Sequence, residues 1–351
     1  EVNITSNDTI ICLDSLSPNN NYSVQAATNE QKSNLLQFTT LDTTSHDINW
    51  TSYELGSIPS NLLHDIAILD NGQIIAVGAL YKAGEFERYN CVKVINNIAE
   101  MERIYYYYNG SAMFAELQSI SSIRNDNFWI GSTEPLGFYN NKWNQWDMSG
   151  IFHSWIYTMW AWSNEDVYIG GTEGNLAHYD GIKWEKINSR TSYQIGEMCG
   201  YKGYKSKQKE VIFITLDYIN YDKSKLAKLV EKNVTHIEEI PMNGQFGDVW
   251  TNKGYPIFIS AYKLYSNKYG GWKEIELNSP CQQKKLKGNN LNDLFTIGVQ
   301  GSIGHYNGKT WKVYGGDNAD IIYYGIAVKG NTIAVCGEIG SYAFIKIGKR
   351  N

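Results

Sequence analysis

Three acidic residues, Asp65, Glu197 and Asp248, hold one aligned position in seven short apolar segments; Ser119, Thr158, Lys285 and Gly325 hold it in the other four. One residue earlier stand His64, Gln118, Tyr157, Gly196, Gly247, Lys284 and Tyr324. A second set of apolar segments is followed by Glu134, Glu173, Asp217 and Glu338, and Trp155 and Tyr323 lie close by in sequence. Carboxylates accept hydrogen bonds from hydroxyl groups, and aromatic faces cover the apolar faces of sugars. If the segments converge, they build a pocket for a sugar or a cation. The ligand-binding candidates are His64, Asp65, Trp155, Tyr157, Glu197, Asp248, Lys285 and Tyr324. A glycosidase would need two of Asp65, Glu197 and Asp248 at about 5 Å, or at about 6.5–9.5 Å. The structural alternative is that these acids bond backbone amides of the next unit.

Other chemistries find no support. No HExxH, H-x-x-x-H or G-x-S-x-G is present. The glycines of GVQGSIG (298–304) fall at every third position inside a hairpin, not in a dinucleotide-binding turn before a helix. The formal charge of -5 lacks the basic footprint of a nucleic-acid binder. No apolar run approaches the roughly 18 residues of a membrane helix. Five cysteines, odd in number and without a CxxC, argue against a disulfide framework or a zinc site, and Cys199 and Cys336 read as buried packing residues. No cofactor or metal is expected; Ca2+ would suit the acidic positions, but no ligand motif calls for it.

The elements that must position these residues repeat. Glu165 to Ile187 (EDVYIGGTEGNLAHYDGIKWEKI) returns from Asn292 to Tyr314 as NDLFTIGVQGSIGHYNGKTWKVY. Each copy reads as three short strands joined by turns. The ends of the second strands, Gly78, Gly131, Gly170, Thr215, Ser260, Gly298 and Gly337, are spaced by 53, 39, 45, 45, 38 and 39 residues. A period near 40 with about four strands per unit signals a β-propeller. Fourth strands are expected around Trp146, Trp184, Trp272 and Trp311, and Asp180-Gly181 and Asn307-Gly308 predict two-residue hairpin turns. Anchor glycines would let a neighbouring backbone approach closely. Ser224 to Lys232 has a helical charge pattern but sits where a third strand belongs, and reads as strand plus loop. The last unit ends after its third strand, whereas Asn49 to Glu54 is a Trp strand with no unit of its own. Placing 49–54 on the edge of the last unit closes a ring and removes exposed edges. The fold class is therefore all-β: a seven-bladed propeller over 49–351.

Residues 1–41 differ, and 42–48 form a polar linker. Strands are expected at Thr9 to Leu13, Tyr22 to Thr28 and Leu35 to Thr40. Leu16-Ser-Pro18-Asn-Asn-Asn-Tyr22 resembles the L-x-P-x-x-x-Y segment of fibronectin type III domains. That resemblance implies the C-terminal part of such a sandwich, with Tyr22 forming a tyrosine corner. With Glu1 first and no signal sequence, the chain is expected to be part of a longer multidomain protein.

His178-Tyr179-Asp180-Gly181-Ile-Lys-Trp184 and His305-Tyr306-Asn307-Gly308-Lys-Thr-Trp311 resemble the H-Y-[D/N]-G-x-x-W repeats of secreted or surface bacterial proteins in which fibronectin type III domains precede propellers. Some of these carry a glucosyl transferase label. The repeats are also similar to the Asp-box of sialidase-type propellers, but Asp180 and Gly181 are adjacent here, without the intervening residue. His178 and His305, repeated with the blade, read as structural. The resemblance implies an extracellular or cell-surface module. Its expected role is non-enzymatic recognition of a glycan or a surface protein on the channel face. The alternatives are a carbohydrate-active hydrolase or lyase and a spacer with no ligand. No nucleic acid and no membrane span are expected.

Overall fold

A computed structural model describes residues 13, 16–57, 59–108, 110–203, 207–217, 224–240, 247–268, 270–277 and 282–351. Among these residues seven four-stranded antiparallel sheets follow one another: blades 1 to 6 span 62–102, 119–145, 158–186, 194–239, 248–275 and 283–314. Blade 7 takes three strands from 321–350, and its fourth comes from the front of the chain. Strand Ile48–Leu55 pairs antiparallel with Tyr342–Arg350 from Ile48 against Arg350 to Leu55 against Ala343. The ring therefore closes as the orphan Trp strand predicts. Closure pairs the edge that an open array would present to solvent.

Alternation along the strands places apolar side chains on both faces of each sheet, so the cores lie between blades. One cluster joins blades 7 and 1 through Ile66, Ile68, Ala334, Cys336 and Ile345; another joins blades 2 and 3 through Trp129, Ile156, Ile169 and Trp184. Cys91, Cys199 and Cys336 are buried free thiols, and burial pushes Cys91 up to about 12 and Cys199 up to about 11. Cys12 and Cys281 lie outside the described residues. Lys225–Val230 is a strand, as its place in blade 4 requires. Tyr105–Tyr108 and Ser111–Phe114 form a separate hairpin inside the longest step.

Two local expectations are corrected. The fourth strand of blade 2 is Lys142–Gln145, which holds Trp143; Trp146 lies just beyond it and stacks on Trp129 at 4.7 Å. Trp272 likewise falls just before the strand Lys273–Ile275. The Asp-Gly and Asn-Gly turns are not two-residue turns, because Tyr179 pairs with Trp184 and Tyr306 with Trp311, leaving four residues in each loop. Only the glycines, Gly181 (φ 91°) and Gly308 (φ 95°), take positive φ. Asp180 and Asn307 instead accept backbone N–H bonds on their side chains, from Ile182 and Lys183 and from Lys309 and Thr310. Paired positive φ occurs at Asn96-Asn97 and Asn140-Asn141, which link third and fourth strands in blades 1 and 2.

Before the ring, Asn21–Val24 and Leu36–Thr39 form a two-stranded ribbon. The Tyr22 hydroxyl accepts a 2.8 Å hydrogen bond from Ser17 N, five residues upstream. Among the described residues this ribbon is the whole of the first region's sheet; residues 9–12 of the expected first strand lie outside them. No helix of the described residues is long and apolar enough to cross a membrane.

Candidate functional site

The first strand of each blade faces the central channel, but a break in the ladder decides which side chain enters it. In blade 1, Leu63 pairs with Gly78 and Asp65 with Val77, so His64 is an extra, unpaired residue. Lys284 is the same extra residue in blade 6 and Tyr324 in blade 7. In blade 4 the slip falls at Gly196 and Glu197, between Ile195 and Met198. A β-bulge turns a side chain away from the regular alternation. The bulges at His64, Lys284 and Tyr324 each lie over an anchor glycine. A Cβ on Gly78, Gly298 or Gly337 would run into the carbonyl oxygen of Leu62, Gln282 or Ile322. The glycine and the bulge are thus one device: the missing side chain makes room for the displaced backbone.

The bulge residues ring a cavity of about 470 Å3 at one mouth of the channel, with Gln118 and Tyr157 from blades 2 and 3, whose ladders do not slip at this point. Its polar groups are held from behind. His64 Nε2 bonds Glu116 Oε1, and this contact holds the Glu116 carboxyl below its usual range. The Tyr324 hydroxyl donates to Glu338 Oε1 at 2.9 Å, and burial with that carboxylate raises its pKa. The Lys284 ammonium lies 4.4 Å from the centre of the Tyr324 ring, and burial pushes its pKa down to about 8.

Below the mouth the channel narrows at a charged waist. Lys285 Nζ from blade 6 bonds Glu197 Oε1 from blade 4, reaching past blade 5. Asp248 is fully buried and pairs with Lys287 Nζ at 3.1 Å. Burial opposes ionisation of Glu197, but Lys285 and Lys287 outweigh it and its pKa falls; burial raises Asp65 and Asp248, with Lys285 and Lys287 respectively opposing. Beyond the waist a second cavity of about 350 Å3 opens on the opposite face, with Asp65, Glu197 and Lys287 in its wall.

The acids therefore do not gather at the mouth, which corrects the expectation that Asp65, Glu197 and Asp248 build one pocket. Asp65 Oδ2 accepts from Ile120 N of blade 2 at 2.9 Å, and Asp248 Oδ2 accepts from Leu286 N of blade 6 at 3.0 Å. The Thr158 hydroxyl accepts from Met198 N of blade 4 at 3.1 Å. In each case the aligned residue bonds the amide one place after the aligned residue of the next blade. In these three blades the position fastens neighbours, and Asp65 and Asp248 serve the ring, whereas Glu197 pairs with Lys285. Glu134 accepts from Met148 N, and Glu338 is engaged by Tyr324. Among the eight candidates, His64, Tyr157, Glu197, Lys285 and Tyr324 come together at the mouth. Asp65 lies on the far side of the waist, Asp248 is enclosed, and Trp155, 38% exposed, stands outside the cavity wall. Glu116 and Lys287 were missed. Lys287 had a legible signal, since it stands two residues after Lys285 on the same strand and so faces the same side. Among the described residues no group of three His, Cys, Asp or Glu is placed to hold a metal ion.

No family model matches the chain, and no curated protein sequence does. Solved structures do match. YCF48 bound to a D1 peptide superposes with a TM-score of 0.64 at 12% identity, covering 88% of this chain and 98% of that one. YCF48 from Cyanidioschyzon merolae gives 0.58 at 11%, covering 85% and 98%. The WD40 propeller domain of Doa1 gives 0.60 at 10%, covering 88% and 98%. At these identities the likeness is one of fold: a seven-bladed propeller.

Proposed function

We propose that the chain is a non-enzymatic binding module that takes a polypeptide at the bulge-ringed mouth of its channel. The observation that carries this reading is the division of labour along the first strands. The acids that could have done chemistry are spent on inter-blade amides or on Lys285 and Lys287, whereas beside the Glu197–Lys285 pair the open cavity is walled by His64, Gln118, Tyr157, Lys284 and Tyr324. These groups suit hydrogen bonding and packing. A glycan fits less well, because the Tyr324 ring already carries the Lys284 ammonium and Trp155 is outside the wall, so two free aromatic platforms do not face one another. The solved structure of a similar propeller, YCF48, is described with a peptide bound, which agrees with this choice. The fibronectin type III reading of residues 1–41, supported by the Tyr22 contact, belongs to the same proposal and would place the module outside the cell or at its surface.

Panning a random peptide library against the purified chain tests the reading, with an oligosaccharide array as the second arm. The expected result is a peptide set whose affinity drops about tenfold with Tyr157→Ala at an unchanged Tm. Peptides indifferent to Tyr157→Ala and His64→Ala would sink it, as would oligosaccharide turnover that Glu197→Gln abolishes.

A further inference from the structure

Blades 3 and 6 carry the same motif on the rim opposite the mouth, and one difference between them points to a second binding site. In both, the motif histidine stacks on a strand aromatic at 4.2 Å, Tyr168 in blade 3 and Phe295 in blade 6. In both, its Nε2 meets an aspartate: His178 with Asp166 at 2.9 Å, His305 with Asp293 at 3.1 Å. In both, the next blade supplies a cation to that aspartate, Lys209 in one and Arg350 in the other. An imidazole that donates from Nε2 to a carboxylate presents Nδ1 as an acceptor.

In blade 6 that acceptor is used. The linker before the ring lies across the rim, and His46 Nδ1 stands 2.8 Å from His305 Nδ1. His46 Nδ1–H donates, and its Nε2 accepts from the Thr310 hydroxyl at 3.1 Å. The Thr44 amide donates to Asn307 O, and the Tyr314 hydroxyl donates to His46 O at 2.6 Å. In blade 3 the corresponding atom, His178 Nδ1, is buried and has no hydrogen-bond partner among the described residues, and the residue is 8% exposed. A buried polar atom left unpaired costs stability, and His178 lines a cavity of about 420 Å3.

We propose that the cavity over His178 binds a partner polypeptide through a cationic, imidazole-bearing segment, seated as residues 44–46 are seated on blade 6. The seat specifies a donor for Nδ1. Charge specifies the rest. Lys312 lies opposite His305 in the sheet, but Glu185 lies opposite His178. Four carboxylates, Glu165, Asp166, Asp180 and Glu231, border the blade 3 cavity against two ammonium groups, Lys209 and Lys232. The chain's own linker is acidic, with Asp42 and Asp47 flanking His46, and suits the Lys312 and Arg350 side of blade 6. A basic counterpart suits blade 3.

The probe is a peptide of residues 41–48 with Asp42→Lys and Asp47→Lys, titrated into the full chain by calorimetry and by NMR of the histidine ring protons. The expected result is saturable binding of one equivalent with a shift of the His178 signal. The affinity should be reduced about tenfold or more by His46→Ala in the peptide or by His178→Phe in the protein. The unaltered acidic peptide should bind more weakly. If His178→Phe does not fold, the peptide variant and the ring signals decide. Absence of saturable binding, indifference to both histidine changes, or a shift at His305 in place of His178 would overturn the proposal.

Discussion

Blades 1, 6 and 7 and blades 2 and 3 use the same glycine, at or within two residues of the end of the second strand, for different purposes. In the first group the glycine lies under a bulge, and a Cβ would strike backbone: the carbonyls of Leu62, Gln282 and Ile322. In the second group the first strand pairs without a slip at that point, and a Cβ on Gly131 or Gly170 would meet side chains of the next blade, Ile156 or Ile195. The first group sends His64, Lys284 and Tyr324 into the mouth; the second keeps the blades tightly packed. A repeated residue thus need not mean a repeated function, and what distinguishes the two cases is whether backbone or side chain fills the space it leaves.

The sharpest test of that contrast is alanine in each group. Gly298→Ala should cost about 4 kcal/mol, because a carbonyl at the bulge cannot move aside without breaking the ladder. Gly131→Ala should cost about 2 kcal/mol, as overpacking against Ile156 Cγ2 and Ser119 Oγ at 2.6 Å can be relieved by side-chain shifts. Urea unfolding of both variants measures the difference. Equal costs would mean that the bulge does not depend on the glycine beneath it.

A smaller effect is expected at the waist, where Asp248 both fastens blade 5 to blade 6 and pairs with Lys287. Asp248→Asn keeps an oxygen to accept from Leu286 N but removes the charge, and should cost about 2 kcal/mol. The loss should shrink in a Lys287→Met background, since no ammonium is then left facing a neutral amide. A full loss in both backgrounds would show that the pair with Lys287 contributes nothing to it.

The contrast also marks where sequence reading stops. The ring was legible because glycine-ended apolar runs recur near a period of 40 and because Trp50 lies in a strand without a blade of its own. The bulges were not legible. A slip of one residue changes no letter of the sequence, yet it decides whether position 64 or position 65 faces the channel. Asp65 and Asp248 therefore read as ligand-binding candidates, whereas their strand geometry directs them to neighbouring amides. Glu116 lies three residues before its blade's first strand, and its place behind the mouth depends on the approach of His64 from another blade, which no local pattern announces. The pairing of His46 with His305 joins positions far apart in the chain, and no local pattern announces such a contact.

The bulge should also leave a trace in the pH dependence of stability, the smallest of these effects. Lys284 and Lys285 are neighbours, but the bulge separates their surroundings. Lys285 sits among Glu197, Asp65 and Asp248, which outweigh burial and raise its pKa. At Lys284 burial, joined by Lys285, outweighs Glu338, and its pKa falls to about 8 from 10.5. Below about pH 8 both the folded and the unfolded chain keep this ammonium protonated, so it adds no slope. Between about pH 8 and the ordinary lysine value the unfolded chain holds more protons, so stability rises with pH. Against Lys284→Met, the wild-type chain should gain about 1 kcal/mol between about pH 7.5 and about pH 9.5, read from urea midpoints. A flat difference would place Lys284 in water and out of the mouth. A difference of opposite sign would mean that an acidic partner outweighs burial, as at Lys285, and that the bulge does not separate the two lysines.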